Sequence, residues 1–309
     1  MLDTTLIALG GQTASGKSEL AIRLANALGD CWIIGCDSRQ IYKYLNLGTG
    51  KIEGSWEAVI YQNQLLHTFL YEQIPHFFID YIDPAKRYTL TDFLIDFRDF
   101  VASHNLPKYI ILCGGTGLYI KAILERYQLD AIKPEHIKDY EDAKAKLQTN
   151  SLTDLQNKYS ELSTQTSLNQ SDFHNPRRLA NHILNHHSKA NSWGESIVLP
   201  QFQKTINLAI RHDQENLYKK ISDRILSRIK NGMIEEVQAL SYLGTERLIE
   251  LGLEYRHTHL YLLGQFSYDE YIQKLTQSSI NYAQRQLTWL NRQNVNWVNT
   301  FEDALSAIR

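Results

Sequence analysis

The residues most able to do chemistry lie near the start of the chain, in one eight-residue pattern. They read G-x-x-x-x-G-K-S, a spacing in which glycines let backbone N–H groups surround phosphate oxygens and the following helix N-terminus adds a favourable partial charge. Lys17 supplies a cation, and the Ser18 hydroxyl can bind Mg²⁺. An ordinary glycine turn is disfavoured because a strand pattern precedes the loop and a helix pattern follows it. We therefore predict a phosphate-binding loop made of Gly11, Gln12, Thr13, Ala14, Ser15, Gly16, Lys17 and Ser18.

A carboxylate follows the second predicted strand. Asp37 comes directly after the apolar run 31–36, which places it at the carboxyl edge of a parallel sheet, where doubly wound folds bind ligands. There it could hold a metal-bound water, act as a general base or cap a turn, and its place beside the phosphate loop favours a functional role. The third predicted strand ends on Gly114-Gly115-Thr116 without an acidic residue. A plain ATPase or GTPase is therefore disfavoured.

The elements that must position these groups alternate between strand and helix patterns. This alternation favours an α/β fold, a P-loop NTPase-like parallel sheet flanked by helices. Short apolar runs predict strands at residues 6–9, 32–35, 109–113 and 206–210. Apolar residues at 3-to-4 spacing predict helices over residues 18–28, 216–243 and 268–292.

The middle of the chain differs in character from both ends. Residues from about 125 to about 193 are polar and helix-favouring, and no strand-like run occurs among them. We therefore predict a catalytic core formed by residues 1–125 and 200–309, with a mainly helical insertion domain at 126–199.

Composition limits the class of protein. Hydrophobic residues make up 43% of the 309 positions and charged residues 21%, which excludes a largely disordered chain or a fibre. Lys and Arg number 32 against 34 Asp and Glu, a formal charge of −2. Such a balance gives no overall attraction to nucleic acid, so a polyanionic partner would have to be held by local basic patches.

Cysteine usage and the terminal segments predict the compartment. Cys31, Cys36 and Cys113 form no C-x-x-C pair, so neither a disulfide framework nor a zinc knuckle is indicated. The N-terminus has no basic leader region, and no apolar run reaches the ~18 residues of a membrane span. We expect a cytoplasmic protein with no membrane association.

A group of three histidines, His182, His186 and His187, could suggest a zinc site. No further ligand lies at a suitable spacing, so we favour a polar helix face over a zinc site.

Seven segments, in this order, resemble the tRNA dimethylallyltransferases, also called tRNA isopentenyltransferases, and together they span most of the chain. They are Gly11–Ser18; Asp37-Ser38-Arg39-Gln40-Ile41-Tyr42 running to Lys51; His76–Pro84; Cys113–Tyr119; Asn175–Leu179; Tyr255-Arg256; and Gln284–Leu290.

The resemblance implies an activity and its catalytic residues. The implied reaction moves a dimethylallyl group from dimethylallyl diphosphate to N6 of adenosine 37, in tRNAs that read codons beginning with U, giving N6-(dimethylallyl)adenosine and diphosphate. Asp37 resembles the base that takes the N6 proton, a role the chemistry requires because the aromatic amine is a poor nucleophile. Thr13 and Lys17 resemble residues on the diphosphate side, and Arg224 is the implied second diphosphate cation. Mg²⁺, bound at Ser18, is the expected cofactor.

The resemblance also implies the residues that bind tRNA, the expected partner through its anticodon stem-loop. No obligate protein partner is implied, and we expect a monomer. Arg285 and Trp289 lie at helical spacing and suit either RNA contact or packing of a structural helix. The implied tRNA-binding residues are Asp37, Ser38, Arg39, Gln40, Thr116, Arg177, Arg178, Leu179, Ala180, Asn181, Tyr255 and Arg256.

Several positions depart from the family's usual pattern. Gln12 replaces a proline in the phosphate loop, and His76-Phe77 replaces a pair of histidines. Asn181 stands where an arginine is common, and Glu254 replaces the glycine before Tyr255. The last two changes put a positive charge and a flexible point in doubt at the RNA-binding face.

Other functions remain open on the sequence. An adenylate isopentenyltransferase acting on free AMP, ADP or ATP would share the loop, but it would need neither the insertion nor Arg177-Arg178. A small-molecule kinase should carry a lid with clustered arginines. A non-catalytic RNA-binding homologue is disfavoured by intact Asp37 and Lys17.

Overall fold

A computed structural model describes residues 1–162 and 168–309. The chain divides into two compact units, one formed by Met1–Tyr127 with Leu199–Arg309 and the other by Gln128–Val198. The strands are β1 (Leu2–Gly10), β2 (Cys31–Gly35), β3 (Ser55–Tyr61), β4 (Gln64–Tyr71), β5 (Ile74–Phe77), β6 (Tyr109–Cys113), β7 (Asp130–Ile132), β8 (Gly194–Ser196), β9 (Phe202–Ile210) and β10 (Asn296–Val298).

Helices account for most of the remaining described residues. They are α1 (Lys17–Leu28), α2 (Leu90–Ser103), α3 (Gly117–Leu124), α4 (Ile137–Gln148), α5 (Leu152–Glu161), α6 (Gln170–Phe173), α7 (Pro176–Ala190), α8 (Gln214–Lys230), α9 (Met233–Ala239), α10 (Gly244–Glu250), α11 (Leu253–Leu262), α12 (Tyr268–Leu290) and α13 (Phe301–Ile308), with short 3₁₀ turns at Pro134–His136 and Ser241–Leu243. None of the helices in residues 1–162 and 168–309 combines the length and apolar character needed to cross a bilayer.

The first unit is built on an eight-stranded sheet in the order β10-β9-β1-β6-β2-β5-β4-β3. The strands from β10 to β5 pair in parallel, and the hairpin β3–β4 adds an antiparallel edge beside β5. The predicted α/β class, a parallel-rich sheet flanked by helices, is confirmed. All four predicted strands are present, because central strands buried on both faces read as continuous apolar runs.

Helices cover both faces of this sheet. On one face, residues of α1 and α13 pack against alternate residues of β1, β6 and β9. On the other, Phe100 of α2 lies 6.0 Å from Trp32 and 4.6 Å from Phe77 between ring centroids. Residues 6–9 of β1, between these layers, are at most 1% exposed.

The predicted single helix over residues 216–243 is wrong in its extent. The helix ends at Lys230, and Gly232 adopts φ +103°. This left-handed conformation is tolerated by glycine and is typical of the end of a helix. The segment is therefore α8, α9 and a 3₁₀ turn rather than one helix. The helix predicted over residues 268–292 is confirmed as α12, which ends two residues earlier.

The second unit contains helices α4 to α7, packed around buried leucine and isoleucine residues such as Leu155 and Leu179. The prediction that no strand occurs here is wrong. Strands β7 and β8 form a short antiparallel pair in which Asp130 lies opposite Ser196. Three-residue strands are too short to produce an alternating pattern, so the sequence carried no usable signal for them.

Candidate active site

The phosphate loop connects β1 to α1, as its sequence predicts. Gly16 has φ +78°, which favours glycine at the residue preceding the helix. A Cβ at Gly11 would lie 2.7 Å from Ser15 Oγ, so the loop folds back too closely for a side chain there. Lys17 Nζ donates to the Gln12 carbonyl at 2.7 Å across the loop. The backbone thus has the tight curvature that a phosphate cradle requires.

Two helices distant in sequence hold this loop in place. The backbone N–H of Thr13 donates to Gln286 Oε1 at 2.7 Å, and Gln286 Nε2 donates to the Gly115 carbonyl at 3.0 Å. Gln12, only 1% exposed, forms a reciprocal amide pair with Gln214, with N–O distances of 3.1 and 3.0 Å. The departure from proline at position 12 therefore ties the loop to the start of α8.

Asp37 lies at the ends of β2 and β6, where the predicted crevice is found. Its Oδ1 accepts from the backbone N–H of Arg39 at 2.9 Å and of Gln40 at 3.3 Å, and its Oδ2 accepts from Gly115 N–H at 3.3 Å. The first two bonds are those of a turn cap. The same carboxylate also lines the cavity beside Lys17, so the capping contacts fix its orientation toward the site.

Basic residues surround the phosphate loop. Arg224, on α8, donates from Nη2 to Thr13 Oγ1 at 2.8 Å. Burial lowers the pKa of Lys17 to about 8 and that of Arg224 to about 10, because both cations are removed from bulk water. Arg224 Nε and Ser15 Oγ are buried without a partner in residues 1–162 and 168–309. Buried donors without acceptors beside a phosphate loop are suited to an anionic ligand.

A cavity of about 360 Å³ is lined by residues 13–18 of the phosphate loop together with Asp37 and Arg224. A second cavity of about 300 Å³ shares Thr13, Asp37 and Arg224 with the first. Of the residues expected to bind tRNA, the second cavity is lined by Asp37, Ser38, Arg39, Thr116, Tyr255 and Arg256.

Gln40 and Tyr255, both expected to bind tRNA, have structural partners in the first unit. Gln40 Nε2 donates to the carbonyls of Thr49 and Gly50 at 3.2 and 3.1 Å, and thereby fixes a loop at the cavity wall. Tyr255 is 1% exposed, and its hydroxyl donates to Glu236 Oε1 at 2.6 Å. The Tyr255 ring therefore packs in the core beneath the cavity.

The remaining expected tRNA-binding residues lie on α7 of the second unit. Asn175 caps this helix by accepting from Arg178 N–H at 3.1 Å, and Pro176 occupies its first turn. Arg178 also pairs with Asp172 at 2.7 Å. Arg177, Arg178 and Asn181 are exposed, whereas Leu179 and Ala180 are buried in the core of the unit. Of residues 177–181, only Arg177, Arg178 and Asn181 therefore have side chains that are accessible to a ligand.

Sequence reasoning missed Gln214 and Gln286, which position the loop. Gln286 lies within the matched segment 284–290, but nothing in its residue type marked it as a loop anchor. Trp289, for which RNA contact and packing were both open, lies against α3, where a Cβ at Gly117 would come 2.4 Å from its ring. That close approach shows that the Trp289 ring packs on the start of α3.

Comparisons with known proteins identify the family of this chain. The family model described as IPP transferase matches residues 40–293. A tRNA dimethylallyltransferase 1 of Azobacteroides pseudotrichonymphae is 33% identical over 96% of this chain and 94% of its own length. A tRNA dimethylallyltransferase 2 of Phocaeicola vulgatus is 35% identical, covering 92% of this chain and 87% of its own.

Solved structures share the fold. A tRNA Δ(2)-isopentenylpyrophosphate transferase from Staphylococcus epidermidis aligns with TM-score 0.62 at 25% identity, over 99% of this chain and 97% of that one. A eukaryotic dimethylallyltransferase acting on tRNA aligns with TM-score 0.69 at 18% identity, over 96% and 74% of the two chains. The family model, the relatives and the loop geometry agree, and the chain belongs to the IPP transferase family.

Proposed function

We propose that this chain is a tRNA dimethylallyltransferase that transfers the dimethylallyl group of dimethylallyl diphosphate to N6 of adenosine 37, in tRNAs reading codons that begin with U. The observation that supports this most strongly is the convergence of one carboxylate and several diphosphate-binding groups. Asp37 lines the same cavity as Lys17, Thr13 and Arg224. A small-molecule kinase could use the same groups, and membership of the IPP transferase family favours prenyl transfer over that alternative.

The chemistry assigns a role to each group. As the N6 nitrogen bonds to C1 of the dimethylallyl group, the C1–O bond breaks and its electron pair passes to the diphosphate. Lys17, Arg224 and the loop N–H groups stabilise the growing negative charge. Asp37 accepts the proton released from N6, which yields N6-(dimethylallyl)adenosine and diphosphate. The hydrogen bonds from Arg39 and Gly115 to Asp37 hold its carboxylate in place for this step.

The oxygen ligands at the site are compatible with Mg²⁺. The Ser18 hydroxyl and the Asp37 carboxylate line one cavity, and Mg²⁺ prefers few protein oxygens together with substrate phosphates. In the described ranges, no group of three or more His, Cys, Asp or Glu side chains could hold a metal alone. Ser18 would therefore hold Mg²⁺ together with the diphosphate, where the ion would add neutralising charge.

The tRNA would present its adenine to the second cavity, which is lined by exposed Arg256 together with Arg39 and Thr116. Loop bases of RNA are read when they are unstacked and inserted into pockets. A net charge of −2 supports weak non-specific RNA binding, so selection would depend on this pocket and on the Arg177-Arg178 segment. We place the protein in the cytoplasm, where tRNA is modified.

The proposal is tested by giving the purified protein equal amounts of unmodified tRNA and AMP with radiolabelled dimethylallyl diphosphate. Label should enter tRNA and leave AMP unlabelled. A Lys17→Met variant is the matched control and should transfer no label to either acceptor. Label in AMP alone would instead establish an adenylate isopentenyltransferase.

A further inference from the structure

Arg228 lies one helical turn after Arg224 on α8, and the function proposed above does not use it. Arg228 lines both the 360 Å³ cavity at the phosphate loop and the 300 Å³ cavity beside it. Its side chain is 11% exposed. Residues four apart on a helix project from the same face, so the two guanidinium groups enter one site together.

The hydrogen bonds of Arg228 leave part of its guanidinium unoccupied. Nη1 donates to the Gly48 carbonyl at 2.9 Å and to Glu254 Oε1 at 3.4 Å. For Nε and Nη2, the described residues provide no hydrogen-bond acceptor, although Nη2 lies against Gly50 at the cavity wall. An arginine has five N–H donors in a fixed fork, so Arg228 retains donors for a ligand.

The anchor of Arg228 is itself held firmly. The carboxylate of Glu236 accepts from the backbone N–H groups of Asn46, Leu47 and Gly48 at 3.1, 2.7 and 3.0 Å, and also from the Tyr255 hydroxyl. The carbonyl that receives Arg228 therefore belongs to a loop with little freedom to move. This holds the guanidinium of Arg228 at the junction of the two cavities.

Charge at the junction indicates the kind of ligand. Lys17, Arg224 and Arg228 share one cavity, and enclosing like charges together is unfavourable unless an anion neutralises them. The pKa of Arg224 is lowered first by burial and further by the neighbouring Arg228. Glu254, 20% exposed, offers Arg228 one carboxylate at a long 3.4 Å. A ligand with several negative charges would satisfy all three cations better.

We propose that Arg228 is a third diphosphate-binding cation, and that diphosphate displaces Glu254, the residue that replaces the family's usual glycine, as its partner. This inference rests on the proposed function. Glu254 then acts as the counter-ion of Arg228 in the ligand-free site and competes with the incoming diphosphate. The second arginine in the cavity and the carboxylate at position 254 are thereby explained as one pair.

Binding of inorganic pyrophosphate, measured by calorimetry at pH 7, tests the inference. Arg228→Met should weaken pyrophosphate binding about tenfold. Lys219→Met removes an exposed charge from the same helix, and its pyrophosphate affinity should stay within twofold of wild type. Arg228→Lys keeps a cation and should bind with intermediate affinity, which also covers the case in which Arg228→Met fails to fold. Wild-type affinity in Arg228→Met would overturn the inference.

Glu254 supplies the second part of the test. Glu254→Gln should tighten pyrophosphate binding about threefold, because it removes the competing charge, and this gain should shrink when Arg228→Met is also present. An equal gain in both backgrounds would show that Glu254 does not compete through Arg228. Wild-type protein and Lys17→Met separate the two proposals. If wild-type protein binds no pyrophosphate, the proposed function fails and the inference fails with it. If Lys17→Met loses pyrophosphate binding but Arg228→Met does not, only the inference is contradicted.

Discussion

The guanidinium of Arg224 donates to the hydroxyl of Thr13 at 2.8 Å, joining residues that are 211 positions apart in the chain. Thr13 lies in the phosphate loop and Arg224 lies on α8, in the last third of the sequence. The bond therefore makes the candidate active site depend on both ends of the first unit rather than on the loop alone.

Thr13→Val should therefore impair use of dimethylallyl diphosphate. The change removes the acceptor of Arg224 Nη2 beside an Nε that has no partner among the described residues, and an unpaired charged donor is costly in a buried site. We expect kcat/KM for dimethylallyl diphosphate to fall about tenfold, with Thr13→Ser close to wild type. Steady-state kinetics with varied diphosphate substrate provide the measurement, and an unchanged kcat/KM in Thr13→Val would contradict the role of this bond.

Gly115→Ala should displace the proposed base. A Cβ at Gly115 would lie 2.9 Å from Asp37 Oδ2, so the carboxylate has to move. Misplacing a catalytic group by about 1 Å can cost about 10²-fold in rate, and we expect a loss of that order in kcat with tRNA affinity retained.

Gly10→Ala is the matched control for that change. It adds the same methyl group at the end of β1, where the nearest atom is a flexible Leu290 side chain at 3.0 Å rather than Asp37. Single-turnover transfer should be near wild type in Gly10→Ala. A similar rate loss in both variants would mean that Gly115→Ala acts by general disturbance of the site.

The amide pair of Gln12 and Gln214 should contribute to stability as a unit. Gln12→Leu or Gln214→Leu alone leaves the oxygen of the other amide without its donor, although that amide's nitrogen keeps a bond to a backbone carbonyl. We expect the free energy of unfolding to fall by about 1–3 kcal/mol. The double variant removes both polar groups, so its cost should be smaller than the sum of the single costs. Urea unfolding of the three variants measures this coupling, and strictly additive losses would show that the two amides act independently.

Lys17 should make diphosphate binding sensitive to pH. Burial lowers its pKa to about 8, so the ligand-free protein loses this cation as the pH rises through 8. The ratio of pyrophosphate affinities of wild type and Lys17→Arg should therefore fall between pH 7 and pH 9. Because the unfolded chain keeps its lysine protonated to higher pH, the free energy of unfolding should rise with pH between about 8 and 10.5. A constant affinity ratio across this range would contradict the lowered pKa.

The central strands were predictable, and the edge of the sheet was not. Strands β1, β2, β6 and β9 are apolar because neighbours bury them, whereas β3 is largely exposed and its short apolar run, Ala58–Tyr61, was not recognised as a strand. The turns of its hairpin and the next use Gln62-Asn63 and Glu72-Gln73, whose φ angles of 46° to 63° are positive without any glycine to mark them. The usual sequence signal for a hairpin was therefore missing.

The loop and Asp37 could be found because their chemistry depends on short local spacing. The anchors of the loop could not, since Gln286 contacts Thr13 from 273 residues away and polar residues on a helix usually face solvent. Tyr255 is a residue that the sequence identified but whose environment it did not reveal. Its segment matched the family, yet only the structure shows that its ring is buried and bonded to Glu236.

Location of the product tests the central claim most directly. Two tRNA transcripts that differ only in carrying adenosine or guanosine at position 37 are incubated with wild-type protein or Asp37→Asn, then digested and analysed by mass spectrometry. We predict a dimethylallyl group on adenosine 37 with wild-type protein, none on the guanosine transcript, and a rate about 10²-fold or more lower with Asp37→Asn. Modification at another nucleotide, or full activity of Asp37→Asn, would contradict the account.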